Sequence, residues 1–190
     1  GLAATTTAIT GDAPDPTVVG QSFVVTFTVT GPGGTPTGNV TVSDGVDSCV
    51  GTVAAGTCNL SLTTVGARTL TATFAGDASY QGGTSGGAAH QVNQAATITT
   101  ISGFAPTSAD TLTPVIISWS VLPVFPGDGT PTGTVVVTTD GAETCSAAVA
   151  VGSCTLTFAA SGSRTATATY QGDTRFATSA TAATPYTVTP

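Results

Sequence analysis

The sequence of 190 residues repeats itself, and this internal duplication limits the possible folds more than any other feature. The segment TPTGNV, which begins at Thr35, recurs as TPTGTV from Thr130, 95 residues later. The motif Gly66-x-Arg-Thr recurs from Gly162, 96 residues later. A period of about 95 residues is the size of one β-sandwich, whereas solenoid and propeller repeats are shorter. The sequence therefore predicts two domains of one fold, at residues 1–94 and 95–190.

The two copies differ by one insertion. Residues 25–29 (VTFTV) match residues 117–121 (ISWSV) with an offset of only 92 residues. The second copy therefore contains extra residues around positions 122–125. A change of offset of this kind is typical of a loop, because insertions in loops leave the core intact.

Within each copy, apolar residues alternate with threonine or serine, as in the runs 69–74 (TLTATF) and 165–170 (TATATY). A period of two is that of a strand with one buried face. Threonine and valine are also β-branched, which favours strands over helices. Glycine-rich and Asp-Gly turns separate about six or seven such runs in each copy. We predict an all-β chain of two tandem immunoglobulin-like antiparallel β-sandwich domains.

Each copy contains two cysteines with eight residues between them: Cys49 and Cys58, then Cys145 and Cys154. Residues 53–56 (VAAG) form a plausible hairpin tip, so each pair is predicted to be a disulfide between partners on neighbouring strands. A metal site made of all four cysteines is the alternative, although metal-binding cysteines usually occur as C-x2-C. Disulfides persist outside the reducing cytosol, which predicts an extracellular protein.

The charge of the chain argues against a nucleic acid partner, and its short apolar runs argue against a membrane span. The formal net charge is −7, and the only basic residues are Arg68, Arg164 and Arg175. Three cations cannot neutralise a phosphate backbone, so we expect no nucleic acid partner. The apolar runs are a few residues long, whereas a membrane-spanning helix needs about 20 apolar residues, so we expect no membrane span.

The repeated motifs resemble the bacterial Ig-like domain repeats of large exported surface proteins. The resemblance covers nearly the whole chain and is strongest from Pro36 to Tyr80 and from Pro131 to Phe176. It consists of Pro-Thr-Gly-x-Val, Asp-Gly, the two cysteines, Gly-x-Arg-Thr, and Gly-Asp followed by an aromatic residue. The resemblance implies a sandwich used in series as a spacer, stalk, adhesin segment or filament subunit. The family that it resembles has no shared catalytic residues, so the resemblance implies none here.

Residues that commonly perform catalysis are rare. His90 is the only histidine, and the second copy has Tyr186 in its place, so the copies cannot share a catalytic base. Trp119, the only tryptophan, occupies the inward position of Phe27 and is predicted to be a core residue. With Glu143 the only glutamate, a glycosidase carboxylate pair would have to consist of aspartates. We predict no catalytic residue, no cofactor and no enzyme activity.

The aspartates stand mostly beside glycine or proline, where their usual role is a turn hydrogen bond. Calcium binding is the alternative that remains open, although no EF-hand-type run is present. We predict no metal site. The residues that would have to gather for calcium are Asp12, Asp15, Asp44, Asp47 and Asp77.

We therefore predict a non-catalytic structural repeat of an extracellular bacterial surface protein. Its expected partners are other copies of itself or neighbouring Ig-like repeats, end to end, because strand patterns reach both ends of the sequence and carry few charges. The alternative is an adhesion module that binds surface glycans or proteins through exposed aromatic rings. The candidate rings are Tyr80, Phe104, Phe125 and Tyr186.

Overall fold

The computed structural model describes all of residues 1–190 and divides into two compact units, Gly1–Asn93 and Gln94–Pro190. This boundary differs by one residue from the division at residues 94 and 95 that the repeat indicates. Only residues 94–96 separate the last strand of unit 1 from the first strand of unit 2. No helix in the structure has the length and apolar character needed to cross a membrane.

Each unit contains nine strands, of which seven have five or more residues, in agreement with the predicted number. The strands of unit 1 are β1 (Thr6–Ala13), β2 (Thr17–Val18), β3 (Ser22–Thr30), β4 (Asn39–Ser43), β5 (Ser48–Thr52), β6 (Thr57–Ser61), β7 (Gly66–Phe74), β8 (Gly83–Thr84) and β9 (Ala88–Asn93). Those of unit 2 are β10 (Thr97–Ala105), β11 (Ser108–Asp110), β12 (Pro114–Pro123), β13 (Thr134–Thr139), β14 (Thr144–Ala148), β15 (Ser153–Thr157), β16 (Gly162–Tyr170), β17 (Ser179–Ala180) and β18 (Thr184–Thr189). A single 3-10 turn, Val149–Val151, lies between β14 and β15.

Two sheets form each sandwich. In unit 1 a three-stranded sheet has the order β1-β3-β6, and a larger sheet has the order β2-β9-β7-β4-β5 with β8 beside β7. Unit 2 repeats this arrangement as β10-β12-β15 and β11-β18-β16-β13-β14, with β17 beside β16. All pairings between these strands are antiparallel except those of β2 with β9 and of β11 with β18, and two isolated bridges, of Ala3 with Tyr80 and of Ala95 with Phe176, are also parallel. The predicted all-β class and the two immunoglobulin-like sandwiches are confirmed.

The core of each unit comes from the alternating residues of the long central strands. In β3, Phe23, Val25, Phe27 and Val29 are buried, and the residues between them are exposed or half-buried. In unit 2 the corresponding strand β12 buries Trp119, which is 5% exposed, as predicted. Each large apolar side chain that is withdrawn from water in this way contributes about 1.5–3 kcal/mol to stability. The period of two therefore fixes which face of each strand enters the core.

The structure contains both disulfides, but the predicted hairpin geometry around them is wrong. Strand β5 pairs with β4 in the larger sheet, and β6 pairs with β3 in the smaller one. The bond between Cys49 and Cys58, with a Cα–Cα distance of 5.9 Å, therefore joins the two sheets of unit 1. Cys145 and Cys154 join the sheets of unit 2 in the same way. After a short turn the chain can either pair with the preceding strand in the same sheet or cross to the other sheet. The spacing of the cysteines is compatible with both arrangements.

Candidate functional site

The most concentrated group of ionisable side chains lies in unit 1 around His90, which is 2% exposed on β9. The imidazole Nδ1 is 2.6 Å from Oδ2 of Asp12, at the end of β1. Its Nε2 is 2.8 Å from Oγ1 of Thr17 on β2. The ring also stacks on Phe23, with 4.1 Å between centroids and 12° between planes. Hydrogen bonds and stacking thus fix the position and the plane of the imidazole.

The connectivity hydroxyl–imidazole–carboxylate matches that of catalytic triads in acyl-transfer enzymes. An ionised carboxylate only accepts hydrogen bonds, so Nδ1–H donates to Asp12, and in the neutral ring Nε2 accepts from the Thr17 hydroxyl. Thr17, however, is only 2% exposed, so its hydroxyl lies below the surface of the sandwich. This burial favours a structural role for the three residues over nucleophilic catalysis.

A second carboxylate faces the same imidazole nitrogen. Oδ1 of Asp15, in the connection between β1 and β2, is 3.6 Å from Nδ1 of His90 and also accepts the backbone N–H of Gln91 at 2.9 Å. The Asp15 side chain is 39% exposed and that of Asp12 is 15% exposed. The ligand atoms of Asp12, Asp15 and His90 all lie within 4.8 Å of one another. Asp12 and Asp15 were among the aspartates named for calcium, but their meeting with His90 was not predicted from the sequence.

Unit 2 has different chemistry at the same place in the fold. Phe104 and Tyr186 occupy the positions of Asp12 and His90, and their rings pack in a tilted arrangement with centroids 4.8 Å apart and 30° between planes. The Tyr186 hydroxyl donates to the backbone oxygen of Pro106 at 3.0 Å. A shallow cavity of about 280 Å³ borders this pair and is lined by Phe104, Thr107, Pro185, Tyr186 and Thr187. The polar cluster is therefore a property of unit 1 alone.

The repeated Gly-Asp motif has a structural role in both units. Oδ2 of Asp173 accepts the backbone N–H and the hydroxyl of Thr132, and Oδ1 accepts the N–H groups of Arg175 and Phe176. Partial burial acts to raise the pKa of Asp173, but these hydrogen bonds outweigh it and lower the pKa to about 2. Asp77 makes the same set of bonds in unit 1, and the bond from Thr37 N–H is the main cause of its lowered pKa.

These bonds connect the Gly-Asp motif to the Pro-Thr-Gly motif about 40 residues earlier in the chain. Gly76 and Gly172 have φ angles of +89° and +78°, a region that favours glycine. In unit 2 a Cβ atom at Gly133 would lie 2.9 Å from the carbonyl oxygen of Gly172, which is too close for a larger residue, whereas the equivalent distance from Gly38 in unit 1 is 3.8 Å. The two motifs repeat together because they form one loop contact.

The remaining carboxylates named for the calcium alternative belong to separate networks. Asp44 accepts from Nε of Arg68 at 2.7 Å, and Asp47 accepts the N–H and the hydroxyl of Thr63. Asp77 binds its own loop contact, and Asp12 and Asp15 face His90. Because the Asp47 N–H also donates to Oδ1 of Asp44 at 2.7 Å, the five aspartates named for calcium occupy three hydrogen-bonded networks. Their main partners are protein N–H and O–H groups, which is the turn and loop role expected from their positions beside glycine and proline.

The four aromatic residues proposed for ligand contact differ in how much of each ring is exposed to solvent. Tyr80 and Tyr186 are 7% and 4% exposed, and their hydroxyl groups donate to backbone oxygens, so neither can act as an exposed platform. Phe104 is half-buried. Phe125 is 91% exposed in the inserted loop after β12 and is the one candidate that presents its whole ring to solvent.

Two sandwiches in tandem, each with a disulfide between its sheets and a parallel pairing of the first and last strands of its larger sheet, define a protein built from immunoglobulin-like modules. The chain belongs to the bacterial Ig-like domain (group 3) family, whose model matches residues 9–93 and 101–189. The predicted resemblance is thereby confirmed for both copies. Among curated proteins, no sequence matches this chain.

Several solved structures are similar to this chain at low identity and low TM-score. Fibronectin(III)-like modules of Clostridium thermocellum CbhA are 17% identical, with a TM-score of 0.38, over 96% of this chain and 92% of that chain. The Yersinia pseudotuberculosis adhesin InvE is 14% identical, with a TM-score of 0.38, over 97% of this chain and 58% of that chain. The Escherichia coli adhesin FdeC is 13% identical, with a TM-score of 0.32, over 98% of this chain and 64% of that chain. The chain thus spans about three fifths of the length of the two adhesin structures.

Proposed function

We propose that this chain is a non-catalytic structural segment of an extracellular bacterial surface protein, in which its two modules act as a spacer or stalk that carries tension. The observation that supports this most directly is the parallel pairing of the first and last strands of the larger sheet in each unit. Membership of the bacterial Ig-like family and the two disulfides support the extracellular part of the proposal.

The parallel pairs have a mechanical consequence. Strand β2 pairs with β9 through Thr17 and Val92, and Val19 N–H continues the ladder to the carbonyl oxygen of Asn93 at 3.0 Å. Strand β11 pairs with β18 in the same way, and Thr111 N–H donates to Thr189 O at 3.1 Å. A force that pulls the N-terminal side and the C-terminal side of a unit apart acts along these strands in opposite directions. All hydrogen bonds of the pair then bear the force at the same time, and breaking them together requires a larger force than breaking them one after another.

End-to-end partners belong to the same proposal, as neighbouring repeats of one chain or further copies of this one. Strand exchange between chains is the less favourable route. Strand β18 lies between β11 and β16 and would have to leave its own sheet in order to join another. Strand β1 has one unpaired edge that could accept a strand, since its only partner is β3. Because the strand to be donated, β18, is already paired on both sides, we favour succession along one polypeptide.

Single-molecule stretching of the 190-residue chain between marker domains tests this proposal. We expect two unfolding events, one for each unit. Replacement Thr111→Pro removes one hydrogen bond of the β11–β18 pair and should lower the unfolding force of unit 2, whereas Thr111→Val keeps the N–H and should leave the force unchanged. Equal forces for the wild type and Thr111→Pro would contradict a tension-bearing role for the terminal strands.

The adhesion alternative has one specific observation in its favour. Phe125 is 91% exposed, and the neighbouring Val124 and Leu122 are 41% and 59% exposed. Leu122 is the cross-strand partner of Ile98, which is 57% exposed. The corresponding pair in unit 1 is Thr6 and Thr30. A contact surface for a glycan or a protein is therefore proposed as the second candidate function, located in unit 2.

A further inference from the structure

We propose that Asp12, Asp15 and His90 of unit 1 form a binding site for one divalent transition-metal ion of the zinc class. This inference goes beyond the structural role proposed above and replaces the sequence-based expectation that the chain has no metal site. The three ligands come from β1, from the connection between β1 and β2, and from β9. A bound ion would therefore link the smaller sheet, through Asp12, to the larger sheet, through His90.

The donor atoms suit zinc in kind and in spacing. Zinc binds imidazole nitrogen and carboxylate oxygen at about 2.0–2.2 Å, so two ligand atoms of a tetrahedral site lie about 3.4 Å apart. The distance from His90 Nδ1 to Asp15 Oδ1 is 3.6 Å, and that to Asp12 Oδ2 is 2.6 Å. Binding requires the Asp12 oxygen to move outward by somewhat less than 1 Å from its present hydrogen bond. Asp12 has part of its side chain at the surface, where such a rotation is possible.

The orientation of the imidazole is an independent observation in favour of the site. A histidine that ligates a metal almost always donates its other ring N–H to a neighbouring acceptor. Thr17 Oγ1 lies 2.8 Å from Nε2 and can be that acceptor, while Phe23 fixes the ring plane. When Nδ1 binds the ion, it loses its proton to solvent and Nε2 takes one up, so the ring stays neutral in its other tautomer and the Thr17 hydroxyl changes from donor to acceptor. Nδ1 is thus aimed at both carboxylates in a ring that is buried and cannot turn away.

The charge and accessibility of the cluster fit a dication. Two carboxylates beside a neutral imidazole carry two negative charges, which one divalent ion balances. Asp15, with 39% of its side chain exposed, provides the route from solvent, and water can complete the coordination on that side. Calcium prefers ligand sets made entirely of oxygen, so the imidazole nitrogen disfavours it. Unit 2 has Phe104, Thr107 and Tyr186 at the equivalent positions, so we expect one ion per chain.

The only histidine of the chain makes a direct test possible. In a long-range 1H–15N spectrum of the 190-residue protein, the ring nitrogens of His90 give a single pair of signals. Addition of zinc chloride to chelator-treated protein should shift the Nδ1 signal and give Nε2 the shift of a protonated nitrogen. Calorimetry should give about one equivalent of zinc. Calcium chloride should change neither the spectrum nor the melting temperature.

The control variants separate this site from other places where zinc could bind. Asp15→Asn changes a half-exposed carboxylate and should weaken zinc binding about tenfold or more. Asp128→Asn makes the same charge change in an exposed loop of unit 2 and should leave the affinity unchanged. Unchanged His90 signals at about 1 mM zinc in folded protein would overturn the proposal. So would equal zinc affinities for Asp15→Asn and the wild type, or a calcium response that depends on Asp15.

Discussion

Among the single residues, the repeated aspartates Asp77 and Asp173 have the same structural role in the two units. Asp77 and Asp173 each accept four hydrogen bonds, and each connects two loops of its unit. Both pKa values are lowered, because the loop N–H and O–H groups bind the ionised carboxylate better than the protonated one. Stability should therefore depend on the ionisation of these side chains.

Replacement of Asp173 by asparagine should destabilise unit 2 at pH 7 by about 1–2 kcal/mol, at the low end for hydrogen bonds to a charged group because the side chain is partly exposed. The folded-state pKa of about 2 lies below the ordinary value of 3.8, so this contribution is present above about pH 4 and is lost as the pH falls towards 2. Denaturant unfolding followed by the fluorescence of Trp119, the only tryptophan, measures the stability of unit 2 at pH 7 and at pH 2.5.

Asp128→Asn is the matched control for this prediction, because Asp128 is exposed and accepts one hydrogen bond, from the next backbone N–H. This variant should unfold as the wild type does at pH 7. If the difference between Asp173→Asn and the wild type were the same at pH 2.5 as at pH 7, the ionised carboxylate would not be the source of the stability.

At the scale of strands and sheets, the disulfides hold together elements that share no hydrogen-bonded ladder. Strands β5 and β6 lie at the edges of different sheets, and the same is true of β14 and β15. The central strands β3 and β7 bury the large apolar side chains without help from the cysteines. Each disulfide therefore adds to a sandwich whose core is already specified.

Replacement of both Cys145 and Cys154 by alanine should lower the stability of unit 2 by about 2–3 kcal/mol, as expected when a closed loop of about ten residues is opened in the unfolded chain. The unit should still fold, because its core does not depend on the bond. Trp119 fluorescence in denaturant measures the change. Replacement of Cys49 and Cys58 serves as the control, since that pair lies in unit 1.

Free thiols in the native protein, detected by alkylation and mass spectrometry, would contradict both the pairing and the proposed extracellular location. Loss of the folded state of unit 2 in the alanine variant would show that the disulfide is required for folding. The expected result is a folded variant with a lower denaturation midpoint.

At the scale of the whole molecule, the two units share one architecture and differ in surface chemistry. Unit 1 has the ionisable cluster around His90, whereas unit 2 has aromatic residues there and the exposed apolar side chains near Phe125. The chain has few charges, with 7% charged residues. The two copies therefore keep one fold while each has its own side-chain chemistry at equivalent positions.

The adhesion alternative predicts that binding, if it occurs, uses the surface of unit 2. A glycan array and a panel of immobilised extracellular proteins should give signals that Phe125→Ala abolishes. The control is Val46→Ala, since Val46 is 66% exposed in unit 1 and lies away from the inserted loop in sequence. Signals that Phe125→Ala leaves unchanged would exclude this surface as the contact. The absence of signals would favour the spacer role.

Four properties could be predicted from the amino-acid sequence alone: the duplication, the all-β class, the inward residues of the central strands and the turn role of the aspartates. These properties are local, because alternation with a period of two and the chemistry of Gly-Asp turns act within a few neighbouring residues. The inward positions of Trp119 and of Leu70, Ala72 and Phe74 follow from that alternation alone.

The contacts between distant segments could not be predicted from the sequence and became visible in the folded chain. Asp12 and His90 are 78 residues apart in sequence, and Asp77 and Thr37 are 40 residues apart. Nothing in the local pattern around these residues specifies such pairs, because they depend on the order of strands in each sheet. The disulfides show the same limit: the spacing of Cys49 and Cys58 indicated the bond, but whether it joined two strands of a hairpin or two sheets depended on where the chain crossed the sandwich.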